Sequence, residues 1–337
     1  MLPEYEFLPA PLWLLNILHW LTLALHFVAM NFVLGGGLIL LFARIKNKWD
    51  DPVVQNFISL FPVLIAATVT LGIAPLLFLQ LTYYGPVYSA AVLSAWPFLM
   101  IVAVVILAYY LLYGAFYSKL QKYGVLIGLA MAAMLYVSFV YSATFDLAER
   151  PEAIGLAYRA NQSGFYIYQD VGNYIFRWLH MIAGAVTIGG FFVGLLGRRS
   201  EEIFKLGKRT FLYGMVLTML IGLVYIATLG EALLPYMRSA GIWMVVVAIV
   251  LSLGGLHFYF RKQFLWAAAL TFVSMFAMVI NRHVLRLVLL EGQWDPTSIP
   301  VHPQWGIFTA FLVCFVLALG LVYYMLRLFF TDRKQPA

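Results

Sequence analysis

Between Leu21 and Leu41 the only polar side chains are Thr22, His26 and Asn31, and Phe98–Leu112 contains nothing more polar than two tyrosines. Runs of this kind match the hydrocarbon thickness of a bilayer, roughly 30 Å or about 20 helical residues. Inside hydrocarbon every backbone N–H and C=O must find its partner within the protein, so a spanning segment is a helix or a strand of a closed barrel. Barrel strands alternate apolar and polar residues, and these runs do not. The chain is therefore expected to be an all-α polytopic membrane protein. Composition agrees: 64% of the 337 residues are hydrophobic and 10% charged, against about 25% charged in a soluble domain. That excludes a globular soluble enzyme, and 26 Gly with 14 Pro exclude low-complexity architectures.

Nine spans are expected, at about Trp13–Phe42, Phe57–Leu79, Ala91–Phe116, Val125–Ser142, Tyr174–Leu196, Phe211–Thr228, Gly241–Tyr259, Leu265–Ile280 and Ile307–Leu328. Cytoplasmic loops of membrane proteins carry an excess of Lys and Arg. With the N-terminus outside, 15 of the 21 cations fall in inner segments: Arg44, Lys46 and Lys48; Lys119 and Lys122; Arg198, Arg199, Lys205, Lys208 and Arg209; Arg261 and Lys262; Arg327, Arg333 and Lys334. The outer segments hold six arginines, Arg150, Arg159, Arg177, Arg238, Arg282 and Arg286, and no lysine. An N-out, C-in topology follows. The net charge of +7 then reads as a topology signal and a contact with anionic lipid, not as a nucleic-acid footprint. Cys314 is the only cysteine, which rules out an intrachain disulfide and covalent haem attachment through Cys-x-x-Cys-His. The acidic start Met1-Leu-Pro-Glu-Tyr-Glu-Phe is unlike a signal peptide, so the first span is expected to be retained.

The chain also repeats itself. A glycine pair follows nine residues after His26 (Gly35-Gly36) and nine after His180 (Gly189-Gly190), and the two copies stand 154 residues apart. Four spans separate them, so they share an orientation. The expected organisation is a first four-helix bundle (1–147), an outer loop (148–173), a second four-helix bundle (174–290), and a last segment (291–337) with an outer loop, a ninth helix and an inner tail.

Ionisable side chains inside a membrane are costly and mark function. The chain has six histidines. Helix 1 enters from outside, so His19 and His26 lie roughly 9 and 20 Å deep at 1.5 Å per residue. His180 lies about two turns into helix 5, His283 at the outer end of helix 8, and Met244 near the outer start of helix 7. Four histidines and a methionine thus share the outer half of the membrane. Imidazole and thioether groups projecting into a bundle core are what axial haem ligation needs. His19 and His26, seven residues apart, share a helix face about 10 Å apart. Gly35-Gly36-Gly37 and Gly184, Gly189, Gly190 and Gly194 would leave room for a flat macrocycle. Trp20, Trp178, Trp243 and Tyr83-Tyr84 would wall it, and Arg177, Arg282 or Arg286 would pair with propionates. The alternatives are hydrogen bonding between helices for His19, His257 and His302, core packing for Met244, helix packing for the glycines, and snorkelling for Arg282 and Arg286.

These residues carry a family likeness. Leu25-His26-Phe27-Val28 through Leu34-Gly35 resembles the first helix of subunit I of the cytochrome bd quinol oxidases. Leu71-Gly72-Ile73-Ala74 to Leu79-Gln80-Leu81 resembles its second helix, and Trp178-Leu179-His180-Met181 its fifth. Asn281-Arg282-His283-Val284-Leu285 sits where that family has Gly-Arg-Gln-Pro-Trp. The resemblance implies that His26 ligates a high-spin haem b and His180 a low-spin one. The methionine partner of that second haem falls near Ser239–Met244, with Met244 the nearest candidate, although Trp243 aligns there as well. Nine helices, N-out and C-in, also agree with the family.

Three departures stand out. The third span has no glutamate, where the oxidases carry acids. The outer loop between the sixth and seventh spans shrinks to about Gly230–Ala240. His19 and His283 are extra histidines, expected to give His26 a sixth ligand or to hold a third haem. The chain is therefore expected to be a divergent relative in a bacterial inner membrane, with two or three haems b. It would serve as a multi-pass subunit of a quinol-linked respiratory complex and pass electrons between the quinone pool and an outer-face redox partner, a cytochrome c or iron–sulfur protein. The alternative is a terminal quinol oxidase subunit reducing oxygen, and a haem-free scaffold or transporter ranks last.

Overall fold

The computed structural model describes residues 7–45, 51–117, 123–167 and 171–332. Among them there is no β-strand, and nine helices are long and apolar enough to cross a membrane. These are α1 (Leu12–Ile45), α2 (Pro52–Thr82), α4 (Ala95–Tyr117), α5 (Tyr123–Ala148), α7 (Val171–Leu196), α8 (Glu201–Ala227), α10 (Ala240–Phe260), α11 (Phe264–Leu289) and α12 (Trp305–Asp332). Three short helices join them: α3 (Tyr84–Leu93), α6 (Pro151–Ala160) and α9 (Leu233–Arg238). The protein is thus a multi-pass all-α membrane protein. Lys46, Lys48, Lys119, Lys122, Arg333 and Lys334 lie outside the described residues.

Helix bounds differ from the apolar spans in instructive ways. The third apolar run breaks at Ser94 into α3 and α4, because a proline at position 97 has no N–H for the Leu93 carbonyl and its ring crowds that carbonyl. Helix α8 starts ten residues before its apolar run. Glu201 and Glu202 occupy its first turn, where carboxylates suit the helix dipole, and Glu201 pairs with Lys205 at 2.7 Å. Lys205, Lys208 and Arg209 therefore sit on a helix, not in a loop. Helix α5 runs to Ala148 and α11 to Leu289, so both carry charged residues within their last turns.

Residues 16–295 form one compact unit and residues 1–15 with 296–337 another. In the first, α4 packs along α5, α7 along α8 and α10 along α11, while α1 packs on α2 with the rings of Phe32 and Phe57 stacked at 4.3 Å. A Cβ on Gly35 would fall on the Ala185 carbonyl oxygen, and one on Gly189 would fall on the Gly35–Gly36 backbone. The two repeated glycine pairs thus let α1 and α7 cross with backbones in contact, the use of small residues typical of membrane helices. In the second unit, Leu8 bridges to Val301, and the backbone N–H of His302 donates to Leu8 O at 3.0 Å.

The apolar core of the larger unit is layered. One cluster joins Phe32–Leu40 of α1, Val54–Ile65 of α2, and parts of α4 and α5. Another joins Leu79 and Tyr83 to α3, the end of α5 and Tyr174; the end of the bundle where it lies is here termed the head. On α2 the two clusters are separated by the stretch from Thr68 to Pro75, and the histidines come to rest in that gap.

Candidate functional site

Three histidines in the gap are held the same way. His26 Nδ1 donates to the Thr68 carbonyl at 2.9 Å, and His180 Nδ1 to the Thr218 carbonyl at 2.9 Å. His19 Nδ1 donates to the Pro75 carbonyl at 3.0 Å. A carbonyl can only accept, so each Nδ1 carries the proton and each neutral ring keeps its lone pair on Nε2. No described residue bonds those Nε2 atoms. A carbonyl that accepts from the far ring nitrogen, fixing the tautomer and orienting the ring, is the usual companion of a metal-ligating imidazole.

The internal repeat extends to the helices that receive these bonds. Four residues beyond each threonine stands a glycine, Gly72 on α2 and Gly222 on α8. A Cβ on Gly72 would meet His26 Cε1 at 2.8 Å and Nδ1 at 2.9 Å, and one on Gly222 would meet the same atoms of His180 at 2.9 and 3.0 Å. Each threonine hydroxyl turns back to its own helix, Thr68 to Leu64 O and Thr218 to Gly214 O, both at 2.8 Å. The two units, His26–Thr68–Gly72 and His180–Thr218–Gly222, are structural copies. Sequence reading found the histidines but neither threonine, nor Gly222, nor the role of Gly72. The signal was present as Thr-x-x-x-Gly recurring 150 residues apart.

The glycines expected to make room for a macrocycle do something else. Gly35 and Gly189 form the α1–α7 crossing, a Cβ on Gly36 would strike the Phe57 ring, and one on Gly190 would meet Phe211 N at 2.6 Å. Of those beside His180, only Gly184 has open space around it. The aromatic residues also divide. Trp178 Nε1 donates to Ser138 Oγ at 2.9 Å across α5 and α7, Trp243 points outward at 68% exposure, and Tyr84 stacks edge-on with Trp294 at 4.7 Å.

His283 is buried on α11, its ring edge-on to Trp20 of α1 at 5.2 Å. Helices α1 and α11 therefore touch, which sequence alone did not require. Met244 lies half-buried in the first turns of α10. His257 is exposed at the far end of α10, and His302 lies in the other unit, edge-on to Phe7 at 5.2 Å.

At the head, Arg282 and Arg286 do not snorkel; both turn inward to a carboxylate at the end of α5. Glu149 Oε1 accepts from Arg286 Nε at 3.0 Å, Oε2 from Arg282 Nη2, and Arg177 Nη1 stands 3.5 Å away. Asp146 lies 3.4 Å from Arg150 Nε and 3.9 Å from Arg177 Nη1. The Arg286 guanidinium also covers the Tyr83 ring at 5.2 Å. Burial alone would push the Glu149 carboxyl up, but Arg282, Arg177 and Arg286 outweigh it and hold it at about 2. Four guanidiniums meet two carboxylates in this contact network, and buried nitrogens on Arg177 (Nη1) and Arg282 (Nη1) lack hydrogen-bond acceptors. Neither acid was picked out from sequence.

Among the described residues no group of three or more His, Cys, Asp or Glu side chains could hold a metal ion. Haem iron draws at most two axial ligands from protein, so single imidazoles remain a fitting donor set. No protein-family model matches the chain, and no curated protein is found as a relative; the chemistry is read from its own geometry.

Proposed function

We propose that this chain is a haem b-containing membrane subunit of a bacterial respiratory electron-transfer complex, working between the quinone pool and a redox partner at the outer face. The observation that carries the reading is the duplicated unit in which His26 and His180 each give Nδ1–H to a threonine carbonyl and keep Nε2 free. Haem b supplies reversible one-electron transfer when bound. His26 and His180 would each hold one iron, with Met244 as the proposed second ligand beside His180. The glycines at 72 and 222 let each imidazole lie close against the neighbouring helix. Arg177 and Arg282, whose Nη1 atoms lack acceptors, would hold propionates by charge-assisted hydrogen bonds.

The Lys/Arg distribution supports placing the head at the outer face of a bacterial inner membrane, where a cytochrome c or iron–sulfur protein would dock. Helix α4, Ala95–Tyr117, has no carboxylate, which favours electron transfer over an oxidase that must deliver protons to oxygen. Reduced-minus-oxidised spectra of the purified protein test the reading. A haem b α-band is expected, with weak carbon monoxide binding. No band ends the proposal, and full, fast carbon monoxide binding at one haem would move the oxidase reading ahead.

A further inference from the structure

His19 and His283 belong to neither copied unit. His19 is 7% exposed and gives its Nδ1–H to Pro75 O at 3.0 Å, so Nε2 is its unclaimed nitrogen. His283 is 8% exposed, and its Nδ1 has no hydrogen-bond partner. The Trp20 ring lies edge-on to His283, and its Nε1 is likewise buried without an acceptor. His19 is within electrostatic reach of both His283 and Arg286. Those two stand three residues apart on α11, one turn of the same face. The ring contact of His283 with Trp20, the residue next to His19, sets this part of α11 against α1 at the level of His19. A buried ring nitrogen without a partner is costly, and here a second imidazole with a free Nε2 lies close by. A transition-metal centre between the rings satisfies both.

Resting on the haem reading above, we propose that His19 and His283 are the axial pair of a third haem b held between α1 and α11. The pair cannot share an iron with His26. Seven residues of helix separate His19 from His26, about 10 Å at 1.5 Å per residue, and the two rings lean on carbonyls of α2 that are themselves seven residues apart. Trp20 Nε1 is a buried donor without an acceptor, which suits a carboxylate of a macrocycle entering from the head.

The test is haem stoichiometry with potentiometry on the purified full-length chain. Wild type should hold three haems b per chain. His19→Ala and His283→Ala should each hold two, and the double variant also two, because both residues serve one iron. His283→Met keeps a ligand, so it should retain three haems while one midpoint rises, as a thioether does relative to a second imidazole. Two haems in wild type, or an unchanged count in His283→Ala, overturns this proposal and leaves the two-haem reading standing. An unchanged set of midpoints in a three-haem His283→Met protein overturns it too. A wild-type protein without haem sinks the parent reading and this one with it.

Discussion

Replacing Gly72 by alanine tests the copied unit directly. The added Cβ would stand 2.8 Å from His26 Cε1 and 2.9 Å from Nδ1, whereas carbon contacts are comfortable at about 3.5–4.0 Å. The ring must retreat by roughly 0.6–1 Å. That stretches the Nδ1–Thr68 O bond from 2.9 Å to beyond the range of a hydrogen bond, roughly 3.5 Å. Losing the bond costs about 1 kcal/mol, while alanine gains about 1 kcal/mol over glycine inside a helix. The fold should therefore hold, with little change in thermal midpoint. The ligand should not hold so well: loss of the hydrogen-bond partner behind a ligating ring typically weakens metal binding 10–100-fold, about 1.4–2.8 kcal/mol. An imidazole without its Nδ1 partner is also less basic, so the midpoint of that haem should rise. Gly222→Ala should do the same to the other haem, through contacts of 2.9 and 3.0 Å with His180. Haem retention on dialysis and a redox titration of each variant read the effect. If both variants fold and match wild type in haem content and in every midpoint, the carbonyl-anchored histidines are not ligands.

Three further outcomes are expected. Glu149→Gln leaves Arg177, Arg282 and Arg286 facing one another without their shared counter-charge, a loss of about 3–5 kcal/mol. Because the native carboxyl is held at about 2 rather than 4.5, its roughly 3 kcal/mol is fully present above pH 4.5 and fades as pH falls towards 2; thermal unfolding of wild type should converge on the variant over that window and stay apart from it at neutral pH. Gly35→Ala puts a Cβ on backbone that cannot move aside and should cost about 1–3 kcal/mol or more, whereas Gly184→Ala, inside α7 with nothing within 4 Å, should stabilise by up to about 1 kcal/mol; thermal midpoints in detergent decide, and equal values would remove the α1–α7 crossing. With Cys314→Ser as background, Ser163→Cys should react with an impermeant maleimide in intact cells and Arg199→Cys only after lysis; the reverse pattern would invert the topology.

The spans could be read because hydrophobicity and length together dictate a membrane helix, and the histidines stood out because imidazole is rare inside one. The helix ends could not be read from apolar runs. Glu201 and Glu202 begin α8 on dipole grounds, and Asp146 extends α5 with its charge met by Arg150 four residues on and, from a distant part of the chain, by Arg177. Glu149 was invisible for the same reason: its partners lie 28, 133 and 137 residues away, and no local pattern records such a pairing. The glycines were seen but misread. Spacing marks a glycine as a close approach without saying what approaches, and at Gly35 and Gly189 it is another backbone, while at Gly72 and Gly222 it is an imidazole. The contact of α1 with α11 is a tertiary fact that no single helix encodes.

The repeat also explains why the extra imidazole occurs in only one half. Carried across by the same offsets that relate His26 to His180 and Thr68 to Thr218, His19 falls on Asn173 and Pro75 on Tyr225. The second half therefore keeps the copied unit but has no imidazole one level nearer the head, and the first half must find the partner of His19 elsewhere, on α11. That asymmetry places two rings and the guanidiniums of Arg282 and Arg286 at the head. Towards the other end the described helices of this unit carry no carboxylate until Asp51 and Glu201, and Phe32, Phe57 and Phe61 pack tightly between. A proton crossing from that end would meet no carboxylate relay on the described helices, while an electron arriving at the head would meet imidazoles at several depths. The arrangement suits charge movement along the histidine layer rather than proton uptake through the bundle.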